Sequence, residues 1–535
     1  MTDAKTTALS WIERRQVDWS QWNRTIWEFG ETAWREYRSA GWYVDLLRSE
    51  GFTVEEASAG MPTAFSANWE NGAGPTIGAY AEYDGVPGNC QAADVIQRPR
   101  DGLGPQAGGH TDPHSALGIA QLVGTLAAKD AMLKHDIPGR LKFFGEPAEK
   151  VRGSKPIHAA RGYYDDLDAV LSFHPFYMLP LCNTVRWNTH CGPAYGAIYR
   201  FRCEAPETWL AFASDSMAFD SMASDSPIPA YHSAARAPGA NDAVVQMYQS
   251  AKALKEHVLS SGTHWSINET ILTMGQATAD NIPAQLAEIM YMARVPTLDM
   301  AEHVIRALDH YADCAARLAH CTWSRQWVTK GRPGLANHAL ARLCYANLEA
   351  VGAPRFAGEA VILANRIRQS VGFDAIDHPF LSQTERLIAP QEAEAHLRRL
   401  LAPSQQHFTS DDYTEYCWHA PTVRLYVGRP ALAPRPDGIG WPAWTMNALG
   451  GLSACIDPMI AVAAKTLAMT ALDLLTGTQT HLEAAKTEFI ERTGGGIGGS
   501  KWIGPLCDYE PPLGLRWPEY VTTPRGTDWV IPSNC

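Results

Sequence analysis

The chain has no basic run, no membrane-length uninterrupted apolar stretch, no paired-cysteine motif and no internal repeat. Its formal net charge of -12 and pI near 5.8 argue against nucleic acid or an anionic membrane surface as the main partner. The longest apolar run, Met459 to Leu475, is interrupted by Lys465 and Asp473 and reads as a buried helix. No apolar core followed by a small-residue cleavage site stands near the N-terminus, so no secretory leader is predicted and a cytoplasmic location is expected. The 11 cysteines are odd in number and include no CxxC pair, which predicts reduced, mostly buried thiols in place of a disulfide framework.

What is present is a soluble-type composition, 46% hydrophobic and 19% charged, in 535 residues, too long for one ordinary core. Apolar residues at helical spacing (Trp19, Trp22, Ile26, Phe29) predict a helix within 6–38, followed by a second from Ser39 to near Gly51. Strand-like runs follow at Thr63–Trp69 and Thr76–Tyr83, then a Gly-, Pro- and Asp-rich loop, Asn89–Gly109, a helix from Ser115 to Met132, a strand Arg140–Gly145 and a strand Leu167–Phe173. Alternating strands and helices imply a parallel sheet covered on both faces. Beyond Pro193 the order becomes strand, helix, strand, strand, helix, strand, as in a small two-layer α+β domain. The expected architecture is therefore an α/β catalytic domain with a mixed, mostly parallel sheet flanked by helices, residues 1–192 and 333–535, interrupted by an inserted ferredoxin-like α+β domain, residues 193–332.

Three polar clusters lie near the ends of strand-like runs, where open α/β sheets place their chemistry. They are "GGHTDPH" (Gly108–His114), "GEPAEK" (Gly145–Lys150) and "LSFHP" (Leu171–Pro175). His110, His114 and His174, with Asp84, Asp112, Glu146 and Glu149, form a candidate metal-ligating set, since neutral imidazole and carboxylate are the usual ligands of borderline divalent ions. Spacing leaves alternatives open. His114 and Asp112 read either as ligands or as caps before the helix at Ser115, and Glu146 as a plain ion-pair partner of Lys150. Arg294 and Asn281 read as a grip on a substrate carboxylate or as ties between strands.

With "AEYDGVPG" (Ala81–Gly88), "HSAARAPGANDAV" (His232–Val244), "TMGQATADNIPAQ" (Thr273–Gln285), "TSDDYTEYCWHAPT" (Thr409–Thr422) and "AVAAKTLAMTALDLL" (Ala461–Leu475), these clusters follow one another in an order that resembles the amidohydrolase branch of the aminoacylase and carboxypeptidase G family of metallopeptidases. The resemblance implies a catalytic domain for two metals and an inserted dimerisation domain, hence a homodimer or larger homo-oligomer. It implies that Glu149 is the general base, that His110 and His174 are metal ligands, that Asp84 orients a ligand from behind, and that His232 reaches a partner's site to stabilise negative charge. Lys150, Asn281 and Arg294 are placed among the groups that meet the substrate.

The chain also departs from that pattern. A thiolate ligand is missing where Gly108 stands, a ligand Glu is replaced by Lys150, and the C-terminal ligand His falls on Asp457. Two losses on one metal of the pair predict a mononuclear site, with one manganese, zinc or iron ion held by His110, His174 and Asp457. The Lys150 ammonium then takes part of the space and charge of the absent ion. The expected activity is hydrolysis of a small N-acyl or aminobenzoyl amino acid. The alternatives are hydrolytic deamination of an electron-poor aromatic amine and a metal-free binding or scaffold protein.

Overall fold

The computed structural model describes residues 2–203, 238–258, 265–275, 284–476, 480–515, 519–523 and 526–530. They pack as two compact units: Met1–Cys191 with Arg332–Pro403 and Asp412–Cys535, and Gly192–Gly331 with Ser404–Asp411. The strands that build the two main sheets are, in chain order, β1 (Thr53–Glu56), β2 (Phe65–Glu70), β3 (Thr76–Ala81), β4 (Arg140–Gly145), β5 (Ala169–Phe176), β6 (Thr184–Val185), β7 (Ala194–Arg202), β8 (Ser266–Thr273), β9 (Leu286–Arg294), β10 (Thr322–Gly331) and β11 (Thr422–Gly428).

The larger unit is organised on a seven-stranded sheet of order β1-β2-β4-β3-β5-β11-β6. Its centre, β4-β3-β5-β11, is parallel, while β1-β2, β2-β4 and β11-β6 are antiparallel. The sheet is thus mixed, with its parallel part confined to the strands whose ends carry the polar clusters. β3 and β11 are buried along their whole length, which is why their sequences run apolar without alternation.

Two helices, His114–Lys134 and Ser453–Thr476, are long and apolar enough to cross a membrane, and most of each is buried inside this unit. The first sits close to β3 because residue 118 is glycine. A Cβ there would lie 2.3 Å from the Tyr43 hydroxyl and 2.9 Å from Ala81 Cβ. That close approach sets the first residue of the helix, His114, beside the residues that follow β3.

The predicted helix within 6–38 is two helices, Asp3–Arg14 and Gln16–Phe29, ending at Gly30 in the left-handed region (φ 51°). A side chain at Gly30 would collide with the Arg100 guanidinium, whose Nη1 lies 2.2 Å from where its Cβ would be. Arg100 donates from there to Trp27 O (3.0 Å) and Gly108 O (2.7 Å), so the 89–109 loop is fastened to the helix end. All ten described cysteines are free, and seven of them are buried. The tail pairs Glu519–Thr523 with Gly526–Val530 in an antiparallel two-stranded sheet.

The smaller unit is a four-stranded antiparallel sheet of order β10-β7-β9-β8. With the helices Ala240–Val258 and Leu298–Leu318 it has the β-α-β-β-α-β succession of a ferredoxin-like layer pair. The second helix is capped by the Thr297 hydroxyl, which accepts from Met300 N–H, and buries a stripe of Val304, Ile305, Leu308, Ala312 and Ala315. Ser404–Asp411, read from the sequence as part of the large domain, packs with this unit, where Thr409 O accepts from Gly192 N–H at 2.9 Å.

Candidate active site

The carboxyl ends of β3, β4 and β5 deliver one polar cluster, and the start of the helix His114–Lys134 completes it. β3 runs out into Glu82 and Asp84, both buried. After β4 the chain turns sharply through Ala148, at φ 58°, into the short turn Glu149–Val151 and out through Arg152, at φ 59°. Left-handed backbone at two non-glycine residues costs free energy. A buried carboxylate holds the turn in place: Glu36 accepts from Ala148 N–H at 2.7 Å and from the Thr63 hydroxyl at 3.0 Å. β5 ends on His174 and the two residues after it.

His114 is at the centre. Its Nδ1 lies 2.7 Å from Asp84 Oδ1, and its Nε2 is 2.8 Å from Lys150 Nζ, 3.3 Å from Glu149 Oε2, 3.5 Å from Glu82 Oε2 and 3.6 Å from Asp112 Oδ2. Asp84 turns its other oxygen to the Lys150 backbone N–H (2.7 Å), so one carboxylate fixes both the imidazole and the turn after β4. His174 is tied in the same sense, with Nδ1 2.7 Å from Pro175 O and Nε2 3.6 Å from Asp112 Oδ2. In each ring Nδ1 faces an oxygen behind it, so the neutral ring presents its Nε2 lone pair to the cluster. That is the arrangement of metal-binding histidines. Against burial, the Asp112 and Asp84 carboxylates hold the His114 pKa up at about 10, and with it a proton that a bound ion would displace.

Cations are interleaved with these acids. Lys150 Nζ donates to Asp112 Oδ2 (2.9 Å) and His114 Nε2 and is 3.7 Å from Glu149 Oε2. Arg152 grips Glu149 through both its backbone carbonyl and Oε1, at 2.7 and 2.5 Å. Lys155, wholly buried, bridges Glu82 Oε1 and Asp412 Oδ1 at 2.8 Å each. Burial pushes the Asp112 and Glu149 carboxyls up, but the charges beside them outweigh it: Lys150 holds Asp112, and Arg152 and Lys150 hold Glu149, well below the ordinary carboxylate range.

The donor set fits a divalent ion. Glu82 Oε2 is buried and has no hydrogen-bond partner among the described residues. Glu82, His114 and His174 offer ligand atoms within 4.8 Å of one another, as do Asp84, His114 and Glu149. The 3.6 Å edges from Asp112 to the two histidines match the spacing of about 3.4 Å between ligands around a tetrahedral ion at about 2.1 Å.

Several expected site residues lie elsewhere. His110 is buried, but its Nε2 is 3.2 Å from Ile26 O, its Nδ1 has no hydrogen-bond partner among the described residues, and it joins neither of these ligand groups. Asp457 lies on the helix Ser453–Thr476, where it meets Ser20, and it also joins neither group. Glu146 does not pair with Lys150. It is saturated by Ser154 (2.7 Å), Tyr164 (2.6 Å), Tyr416 (2.8 Å) and His158 (3.0 Å). Asp112 is not a cap either, because the helix begins without a side-chain capping hydrogen bond and the Asp112 carboxylate faces Lys150. Arg294 ends β9 in the smaller unit, and His232 and Asn281 lie outside the described residues.

Asp457 supports a prediction of its own. Burial raises its pKa from the ordinary 3.8 to about 6, against a lowering by Ser20. The folded chain then holds a proton that the unfolded chain has lost, so stability falls as pH rises from about 4 to about 6. Asp457→Asn is expected to stabilise the protein by about 1–3 kcal/mol at pH 7–8 and to leave it unchanged near pH 3. Thermal melts across that range, with elemental analysis of bound metal, check this. A loss of metal in Asp457→Asn would restore the residue to the ligand set.

Arg152, Lys155, Asp412 and Arg429 do not stand out in the sequence as site residues. Only Lys155 carries a legible signal: a lysine inside a short helix, Ser154–Ala160, whose other residues are small, apolar or aromatic-like needs an internal anion.

No family model matches the chain. It is 25% identical over 462 residues to one of the subunits of p-aminobenzoyl-glutamate hydrolase from Escherichia coli (strain K12), covering 84% of this chain and 87% of that protein. The chain is a homologue of that hydrolase. Among solved structures, the aminobenzoyl-glutamate utilization protein from Klebsiella pneumoniae matches with a TM-score of 0.52 and 14% identity over 87% of this chain and 98% of that one, and so shares the fold. A Bacillus subtilis protein described as a dinuclear metal binding peptidase from the M20 family matches with a TM-score of 0.46 and 13% identity over 86% and 99%.

Proposed function

We propose that this chain is a metal-dependent hydrolase that cleaves the C–N bond of a small amide, an N-acyl or aminobenzoyl amino acid being the substrate class. The observation that carries the reading is the pair of buried imidazoles, His114 and His174, each fixed through Nδ1 and each presenting Nε2 beside Asp112. The similarity to an aminobenzoyl-glutamate hydrolase supports it.

His114, His174 and Asp112, with Glu82 beside them, would hold one divalent ion, of manganese, zinc or iron. Such an ion supplies Lewis acidity, making a carbonyl carbon more electrophilic and water more acidic. Lys150 Nζ lies near Asp112 and Glu149 as well as His114 Nε2, so with that nitrogen given to an ion the ammonium would supply positive charge beside the two carboxylates. Glu149 is the general base. Arg152 fixes its Oε1, and Oε2 faces the cluster, where it takes a proton from the attacking water and returns it to the departing nitrogen. Asp84 positions His114. A homodimer in the cytoplasm, with a small-molecule substrate, completes the reading.

The second reading keeps the site and changes the leaving group. Lys150 inside the ligand cluster favours a single ion, and a single-ion site can serve displacement of ammonia from an electron-poor aromatic amine. Elemental analysis of wild type and Lys150→Glu, with assays on p-aminobenzoyl-glutamate and on a nitro-substituted aminobenzoate, separates these cases. One ion per wild-type chain and two in Lys150→Glu are expected, with release of 4-aminobenzoate and glutamate. Ammonia release without an amino acid product selects the second reading. A wild-type chain that stays metal-free in metal-supplemented buffer overturns both and leaves a binding protein.

A further inference from the structure

Arg429 follows β11, whose register sets Gly428 opposite Phe176 and Tyr426 opposite His174 on β5. Its backbone N–H donates to Phe176 O at 3.0 Å, so the residue is anchored at the carboxyl end of the sheet. Its guanidinium turns back toward the cluster. Nη2 donates to Thr111 O at 2.8 Å, and Nη1 stands 3.6 Å from Asp112 Oδ1, too far for a hydrogen bond. The face of Tyr177 lies 5.6 Å from its carbon centre.

A guanidinium carries five N–H donors, and among the described residues this one makes a single side-chain hydrogen bond while its side chain is only 6% exposed. Its Nε and Nη1 are not wholly buried, so their remaining N–H groups are open to whatever occupies the site, and a guanidinium with so little exposure is best served by an anion there. The neighbouring carboxylate is shared: Asp112 turns Oδ2 to Lys150 and the two histidines and leaves only Oδ1, beyond hydrogen-bond distance, to Arg429.

We infer that Arg429 is the anchor for the substrate's carboxylate, binding it through the paired N–H groups of its fork, so that this site takes small carboxylic acids with the scissile C–N bond within one ring's width of the carboxylate. The inference rests on the hydrolase reading for the word substrate but not for the binding itself. The planar fork matches a carboxylate in a way lysine does not. Asp112 lies between the guanidinium, on its Oδ1 side, and the two histidines, on its Oδ2 side, so a carboxylate held by Arg429 would sit beside the cluster. It also assigns a role to a residue that neither the sequence motifs nor the expected substrate contacts, Asn281 and Arg294, had included.

The test uses benzoate and its neutral isostere benzamide as probes, with affinities measured by calorimetry on the metal-loaded full chain for wild type, Arg429→Lys and Arg429→Met. Benzoate is expected to bind wild type at least about 10-fold more tightly than benzamide. It should lose about 10- to 100-fold in Arg429→Met and a smaller factor in Arg429→Lys, with benzamide changed less than about 2-fold. Metal content and melting temperature report whether each variant keeps its fold, and Arg429→Lys retains the charge if Arg429→Met does not fold. Benzoate binding that is absent in wild type, or insensitive to residue 429, overturns the inference; the latter result would place the carboxylate on the ion. Loss of benzoate affinity in a chain that hydrolyses no amide leaves the inference standing and removes the hydrolase reading. Amide hydrolysis with an unchanged KM in Arg429→Met does the reverse.

Discussion

Glu149→Gln is expected to lower kcat by about 10²- to 10⁴-fold while leaving the bound ion and the substrate KM close to wild type. The amide is the same size as the carboxylate and keeps an oxygen for the Arg152 guanidinium, so the turn after β4 survives. What it loses is the ability to accept a proton. Arg152 and Lys150 hold Glu149 ionised far below neutral pH, so it is present as the base throughout the working range. The same cations make it a weak base in the free chain, and substrate binding that draws Lys150 away from it would strengthen it. Two readings of the variant are needed. Single-turnover kinetics separate the chemical step from product release, and elemental analysis shows whether the ion is retained. Turnover within a few-fold of wild type would remove Glu149 from the mechanism.

Much of the larger unit was legible because its strands are buried on both faces and its helices carry apolar residues at helical spacing. Strands β3 and β4 and the long helix after Pro113 are in the places their sequences indicate, within one or two residues at most ends. The strand carrying His174 runs three residues further than its apolar stretch, to Phe176, because backbone pairing with β11 continues past the polar residue. Pairing of that kind depends on a strand some 250 positions away in sequence and leaves no local trace. The mixed, mostly parallel character of the sheet was expected, but which edges are antiparallel was not legible. Its antiparallel edges are set by which strand lies next to which, and no periodicity encodes that.

The site was legible as a set of motifs, and the structure groups their side chains in a different register from the one the motifs suggest. "GGHTDPH" contains two histidines four residues apart, and both flank the same loop. Only the structure shows that the second begins a helix packed on β3 through Gly118 and is thereby carried to Asp84, while the first is left facing Ile26 O. Asp112 belongs with His114 for the same reason: it stands just before the helix, with its carboxylate turned inward. Arg429 was invisible, and Lys155 nearly so, because a buried cation is recognised by the anions around it, and those come from distant parts of the chain.

His114→Ala and His110→Ala decide between the two registers, and they are expected to differ sharply. Removing His114 takes away a nitrogen within 3.6 Å of Asp112 Oδ2 and within 3.5 Å of Glu82 Oε2, and leaves Asp84 Oδ1 and Lys150 each short of a partner. Ion affinity should fall by more than about 100-fold, a larger loss than removal of a supporting hydrogen bond from a ligand gives. Activity should fall with it, and the melting temperature of the metal-loaded chain should drop toward that of the chelated one. His110→Ala removes a neutral, buried ring whose Nδ1 has no partner among the described residues and whose hydrogen bond to Ile26 O is long at 3.2 Å. It should cost about 1–3 kcal/mol of stability through the cavity it leaves, with ion affinity changed less than about 3-fold. The readout is metal titration against a competing chelator for both variants in parallel. If His110→Ala lost the ion and His114→Ala kept it, the cluster around His114 would be a structural ion-pair network, and the ligand set would return to His110, His174 and Asp457.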